Sequence, residues 1–180
     1  MNLILFGFKS CGKTTLGKLL AQRLNRPFID TDRLIEHLYF QRTGQSLTFR
    51  EIFKTAGAAV FRTLESDVLQ PLKSAKTAII AVGGGLVLDP THVTFLAKLG
   101  QLVYLNVSKE TLKRRVLGGE LPAYLDPLDP EGSFEQMYKE RQPKYEAISA
   151  LSVDLEKKTQ DEILQELSAL IHSLEQPHGK

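Results

Sequence analysis

Gly7-Phe8-Lys9-Ser10-Cys11-Gly12-Lys13-Thr14 stands directly behind the apolar run Leu3-Ile4-Leu5-Phe6. A glycine-rich loop lets successive backbone N–H groups point inward at phosphate oxygens, and the positive end of a following helix adds to the attraction. Lys13 is then placed to reach the β- and γ-phosphates of a nucleotide, and the Thr14 hydroxyl to ligate Mg²⁺. Gly7, Lys9, Ser10, Cys11, Gly12, Lys13, Thr14 and Thr15 are the candidate nucleotide-binding residues. The chemistry this pattern serves is that of ATP or GTP with magnesium.

Phe28-Ile29-Asp30-Thr31-Asp32 supplies two carboxylates at the end of a short β-like run. Residues two apart on an extended chain project to the same side, which is how the pair is expected to meet. Beside Mg²⁺ and a transferable γ-phosphate, one of the two carboxylates can hold the metal through water, and the other can orient or deprotonate an attacking hydroxyl. Taken alone, an Asp-x-Asp before a helix also reads as a helix cap, with Asp32 ahead of Arg33-Leu34-Ile35.

Ala78-Ile79-Ile80-Ala81-Val82 runs into Gly83-Gly84-Gly85. Three glycines behind a buried strand cost chain entropy unless the backbone turns sharply or lets a ligand come close. Their amides are expected to face an acceptor and the γ-phosphate. Phe61-Arg62 and Glu140-Arg141 add two arginines, whose planar forks grip carboxylates in a way lysine cannot copy. Together they point to a small acidic acceptor. Glu65, one helical turn after Arg62, is expected to steady that guanidinium as an exposed pair.

These groups need a scaffold that brings them together. Asn2 to Phe6, Pro27 to Ile29, Ala78 to Val82, Leu102 to Val107 and Leu151 to Val153 read as strands, with helical patterns between them. Gly12 to Leu24 carries Leu16, Leu19, Leu20 and Leu24 on one stripe, and Thr159 to Leu174 carries Ile163, Leu164, Leu167, Leu170 and Ile171 on another. Strands alternating with helices predict a parallel α/β sheet covered on both faces, with ligands at the C-terminal strand ends. Arg33 to Leu72 is a mostly helical insertion expected to bind the acceptor. Leu117 to Ser133, rich in Gly, Pro and Asp, reads as a mobile lid or a disordered excursion, and the tail from Glu175 to Lys180 as frayed.

Length and charge narrow the classes. At 180 residues and 42% hydrophobic content the chain suits one core rather than two. A net charge of +2 from 23 basic and 21 acidic residues falls short of a nucleic-acid footprint, so no nucleic-acid partner is expected. No apolar run approaches the roughly 18 residues of a membrane span, and Lys9 and Lys13 argue against a secretory signal. A cytoplasmic chain without a membrane partner follows as the expectation. The single cysteine, Cys11, forms no internal disulfide. Its place near a helix N-terminus and Lys13 raises an oxidisable thiol shielded by ATP as one reading. A small residue that fits the turn is the other.

Taken in order, Gly7 to Thr15, Asp30-Thr31-Asp32, Gly57 with Phe61-Arg62 and Glu65, Gly83-Gly84-Gly85, and Glu140-Arg141-x-Pro-x-Tyr145 resemble shikimate kinase across nearly the whole chain. The resemblance implies one kinase domain over residues 1–180, with a three-layer α/β/α P-loop fold and a five-stranded parallel sheet. It also implies a shikimate-binding subdomain near 33–72 and a lid near 117–133. The implied reaction moves the γ-phosphate of ATP to the 3-hydroxyl of shikimate, with Mg²⁺, in a chain that by analogy is a monomer. Lys13, Asp32, Arg62 and Arg141 carry over as catalytic positions, and Thr14 and Asp30 as metal positions. Asp32, Phe53, Phe61, Arg62, Gly83, Gly84, Gly85 and Arg141 carry over as shikimate positions.

Two departures stand out. The family's lid carries an arginine before a proline, and this chain has Leu121-Pro122. Arg114, Arg115 or Lys9 is the expected replacement for that charge. Ala58 follows Gly57 where the family has a glutamate that helps hold the subdomain arginine, so Arg62 is expected to be looser and the acceptor KM higher. Lys157 and Lys158 fall where the family places basic residues near adenine, and read equally as solvated. A kinase for another hydroxy acid such as gluconate, and a nucleotide-binding regulatory module of weak activity, are the competing readings.

Overall fold

The computed structural model describes residues 1–176. Its centre is a parallel sheet of five strands in the order β2-β3-β1-β4-β5. The strands are β1 Asn2–Phe6, β2 Phe28–Asp30, β3 Ile79–Ala81, β4 Gly100–Asn106 and β5 Ser152–Asp154. All five side chains of β1 are buried, as expected of a central parallel strand covered on both faces. Leu3 lies opposite Ile79 on one side and Gln101 on the other, which sets β1 between β3 and β4.

Helices α1 Lys13–Arg23, α2 Thr31–Thr43, α3 Phe49–Asp67, α4 Pro90–Leu99, α5 Lys109–Leu117, α6 Pro130–Ile148 and α7 Gln160–Glu175 connect and flank the strands. The expected five-stranded α/β architecture is present. Strand limits move by one or two residues from their sequence-predicted positions: β2 ends at Asp30, β3 is shorter at both ends, and β4 begins at Gly100. Parallel pairing with neighbours, which local propensity does not see, sets those ends.

The main core joins β1, β3 and β4 to α1, α6 and α7 through side chains such as Leu5, Leu20, Ile80, Val103, Phe134 and Leu167. Each fully buried aliphatic or aromatic side chain of this kind stabilises by about 1.5–3 kcal/mol. At the opposite end of the sheet from the loops, the Asn2 amide donates to the carbonyls of Ala75 and Leu99, and its oxygen accepts from the Ala78 N–H. A second, smaller cluster of Ile35, Ile52, Phe61, Leu64 and Val68 glues α2 to α3. The predicted insertion thus has its own apolar seam.

Gly57 interrupts α3 at φ 83°, ψ 165°, a conformation essentially restricted to glycine. The residues after it, Phe61, Arg62 and Glu65, take their direction from that break. An added Cβ meets no atom within 4 Å, so any penalty in Gly57→Ala comes from the backbone alone. We expect this variant to lose about 1–3 kcal/mol in thermal unfolding, and an unchanged melting temperature contradicts the strain.

The 118–129 connection is not a structureless excursion. Leu125 is buried, its N–H donates to the Pro122 carbonyl, and Asp126 N–H donates to Ser133 Oγ. At its tip, Leu128 is 93% exposed. Asp129 caps α6, so the irregular stretch ends before the predicted limit of Ser133. Glu175 closes α7 and pairs with Arg26 and the N-terminal amine, so the frayed tail does not begin there. The rest of that predicted tail, residues 177–180, lies outside the described residues.

Candidate active site

A cavity of about 450 Å³ opens where β1, β2 and β3 end, within the usual range for small-molecule sites. The phosphate loop follows β1, the two aspartates close β2, and the glycine run follows β3. Because β3 is the direct neighbour of β1 and β2, these three segments meet at one edge.

Helix α1 starts from Gly12 in the left-handed region with no side chain capping its first turn. Those free N–H groups and the positive end of the helix make a site for anions. The Lys13 ammonium donates to the carbonyls of Gly7 at 3.0 Å and Phe8 at 2.8 Å, which holds it over the loop. Cys11 lies beneath, 1% exposed, with its sulfur 3.7 Å from Lys13 Nζ. Oxidation needs access that this thiol lacks, which corrects the reading of Cys11 as an oxidisable group and leaves it as a small residue filling the turn.

The two aspartates meet by another route than the one their spacing suggested. Asp30 is the last residue of β2 and caps α2, with Oδ1 accepting from the Asp32 N–H at 3.0 Å. Asp32 is already helical, so extended-chain alternation does not describe the pair. Its cap leaves Asp30 Oδ2 to accept from the Thr14 hydroxyl at 2.7 Å, joining the two metal candidates. Asp32 faces the cavity. Burial, then the charge of Asp30, pushes its carboxyl up to about 6, while Lys13 opposes the shift.

The glycine run lies close to these groups. A Cβ on Gly83 stands 2.8 Å from Asp32 Oδ1, and one on Gly85 stands 2.6 Å from Arg62 Nη1 and 3.2 Å from Glu65 Oε1. A side chain at either position displaces Asp32, Arg62 or Glu65 from its place, so close approach rather than unusual torsion is what favours glycine there. The Gly83 N–H is engaged by Thr31 Oγ1 at 3.0 Å, so it does not face a ligand as its position in the sequence suggested. Tyr145 donates to the Gly84 carbonyl at 2.9 Å and so ties α6 to the run.

Arg62 and Arg141 line the same cavity from α3 and α6. Arg62 pairs with Glu65, which is 3% exposed rather than at the surface as expected. Burial raises the Glu65 carboxyl, and the Arg62 hydrogen bond opposes that shift. Ala58 is exposed, and the hold on Arg62 comes from Glu65. Arg141 lies over the Tyr124 ring at 4.7 Å. Phe53 and Phe61 meet edge to face at 5.4 Å, lining the cavity while also packing the α2–α3 seam.

Of the three charges expected to replace a lid arginine, only Lys9 lines the cavity. Arg114 is exposed, and Arg115 donates from outside to the Ser10 carbonyl at 3.3 Å. Leu121 is half-buried against the core. Lys158 pairs with Glu166 of α7, and Lys157 is exposed. Sequence reading missed Arg50, which lines the cavity beside Phe49. In all, the cavity gathers the cations Lys9, Lys13, Arg50, Arg62 and Arg141 against the carboxylates Asp32 and Glu65. The excess is positive and suits a ligand carrying several negative charges.

Among the described residues no cluster of His, Cys, Asp or Glu forms a metal cage. A Thr hydroxyl beside a carboxylate, next to phosphate-binding amides, is the oxygen donor set of magnesium carried in on a nucleotide.

Known proteins sharpen these observations. A family model described as shikimate kinase matches residues 9–172. A shikimate kinase of Syntrophus aciditrophicus is 35% identical over 178 aligned positions, covering 92% of this chain and 88% of that relative. The solved structure of shikimate kinase from Acinetobacter baumannii in complex with shikimate superposes with a TM-score of 0.83 at 31% identity, covering 98% of this chain and 95% of that one. A gluconokinase from Sinorhizobium meliloti, at 16% identity and a TM-score of 0.56 over 97% of each chain, shares the fold alone.

Proposed function

The chain belongs to the shikimate kinase family, and on that premise we propose that it transfers the γ-phosphate of ATP to the 3-hydroxyl of shikimate. One observation carries the reading. A phosphate loop and two arginines suited to a carboxylate line one cavity around Asp32, a raised carboxyl that no arginine engages, whereas the raised Glu65 is paired with Arg62. A phosphoryl donor and a carboxylate-bearing alcohol answer to that layout.

In this reading the loop amides and Lys13 bind the β- and γ-phosphates and spread the charge that grows between them during transfer. Thr14 and Asp30 would hold Mg²⁺, and the ion would supply charge neutralisation for the transferring phosphoryl group. Arg62, steadied by Glu65, and Arg141 hold the acceptor carboxylate, while Phe53 and Phe61 flank the ring. Asp32 accepts the proton of the attacking hydroxyl as its oxygen bonds to phosphorus and ADP leaves. Most of the rate then comes from positioning and fixed charge. Residues 118–125, which bring Tyr124 to the cavity, act as a lid that excludes water. The chain works in the cytoplasm as a monomer. Supporting the location, no helix among the described residues is long and apolar enough to cross a membrane.

Calorimetric titration tests the acceptor. Shikimate is expected to bind at one site, and Arg141→Ala to weaken that binding about 10- to 100-fold, the worth of a charged hydrogen-bonded pair. Gluconate binding in place of shikimate overturns the choice of acceptor. Unchanged shikimate affinity in the variant removes Arg141 from the clamp.

A further inference from the structure

Arg50 occupies a costly position. It sits in the first turn of α3, where the helix dipole disfavours a cation. It also shares the neighbourhood of Lys9, whose ammonium is lowered to about 8, first by burial and then by the Arg50 charge. Its Nε–H is fully buried without an acceptor, the one such side-chain nitrogen or oxygen among the described residues. An unpaired buried donor of this kind costs about 1–3 kcal/mol. Glu120, on the connection leading to Leu121, engages Nη1 but is itself mostly exposed, and the Phe49 ring lies 5.4 Å from the guanidinium. All three costs fall if an anion enters between Arg50, Lys9 and the phosphate loop. The guanidinium lines that same cavity, with Lys9 and Lys13 of the loop as fellow lining residues.

We propose that Arg50 is a catalytic cation of this site, which contacts the terminal phosphoryl group of the bound nucleotide and replaces the positive charge missing at Leu121. Glu120 holds the guanidinium ready in the meantime. When residues 118–125 close, the fork turns from Glu120 to the phosphoryl oxygens, and the Nε–H gains its acceptor. Arg50 donates hydrogen bonds only, and no proton is transferred from it. The proposal rests on the reading of the chain as an ATP-dependent kinase, and the test separates the two.

Steady-state turnover with shikimate and Mg-ATP is compared between the wild type, Arg50→Ala and Arg50→Lys, with calorimetric affinities for AMP-PNP and ADP alongside. Arg50→Ala is expected to lower kcat about 100-fold, as for loss of one transition-state donor. The shikimate KM should change less than about threefold, and Arg50→Lys should recover part of the rate through its charge. The variant should also lose about tenfold of the preference for AMP-PNP over ADP. Melting temperatures within a few degrees exclude a folding cause, and Arg50→Gln takes the place of the alanine variant if that one unfolds. Unchanged kcat overturns the proposal, and so does a rise in shikimate KM at constant kcat, which would put Arg50 on the acceptor. If the wild type shows no shikimate-dependent turnover, the kinase reading fails. The AMP-PNP preference then decides for Arg50: its loss supports the phosphoryl contact and its persistence overturns it.

Discussion

In an Asp32→Asn chain, kcat for phosphoryl transfer falls about 10²- to 10⁴-fold, the span of a lost general base, while ATP affinity stays within about threefold. The separation follows from geometry. Asp32 opens α2 beside Gly83 and belongs to neither the phosphate loop nor the Thr14–Asp30 pair. Asparagine keeps the size and accepts hydrogen bonds but takes no proton. The carboxyl at about 6 also sets a pH profile. Transfer requires the ionised form, so kcat/KM for the acceptor should rise with pH through about 6 and level off above it.

Stability runs the other way. The folded chain keeps the Asp32 proton up to about 6, against 3.8 for an ordinary aspartate, so ionisation weakens the fold as pH climbs between those values. Above pH 6 the cost is complete. The inactive Asp32→Asn chain should therefore be more stable than the wild type at pH 7 by about 1–3 kcal/mol, and no more stable at pH 3. Near-normal turnover in that variant, or a melting temperature below wild type at pH 7, contradicts the assignment.

Lys13→Ala should behave differently, losing both binding and rate. Its ammonium is the cation held over the loop by the Gly7 and Phe8 carbonyls, where the phosphates would take over those hydrogen bonds. We expect ATP affinity to fall at least about tenfold and kcat about 10²- to 10³-fold. Lys13→Met, which keeps the apolar stem, should match it if charge is what matters. Titration of ATP into each variant checks the first part, and unchanged affinity contradicts the placement of the phosphates.

How much of this was legible in the sequence depends on how locally each feature is encoded. The phosphate loop was readable because strand, loop and helix are contiguous, so Lys13 and Thr14 needed no tertiary information. Arg62 and Arg141 were readable only within ordered motifs, since two elements far apart in sequence bring them to one cavity. The meeting of Asp30 and Asp32 was anticipated with the wrong geometry, because a cap at Asp30 starts the helix before Asp32 is reached. Burial of Glu65 and the use of the Gly83 amide by Thr31 depend on packing between α3, β3 and α2, which spacing does not report. Arg50 was the most hidden. In sequence it opens an amphipathic helix like any surface arginine, and only the placement of α3 beside the phosphate loop turns it inward.

Shikimate phosphorylation is decided by ADP release from Mg-ATP with and without shikimate, coupled to NADH oxidation. We expect turnover that depends on shikimate, saturates with it and yields one phosphorylated shikimate per ADP. Protein that binds ATP but releases ADP no faster with shikimate than without it is not a shikimate kinase in function.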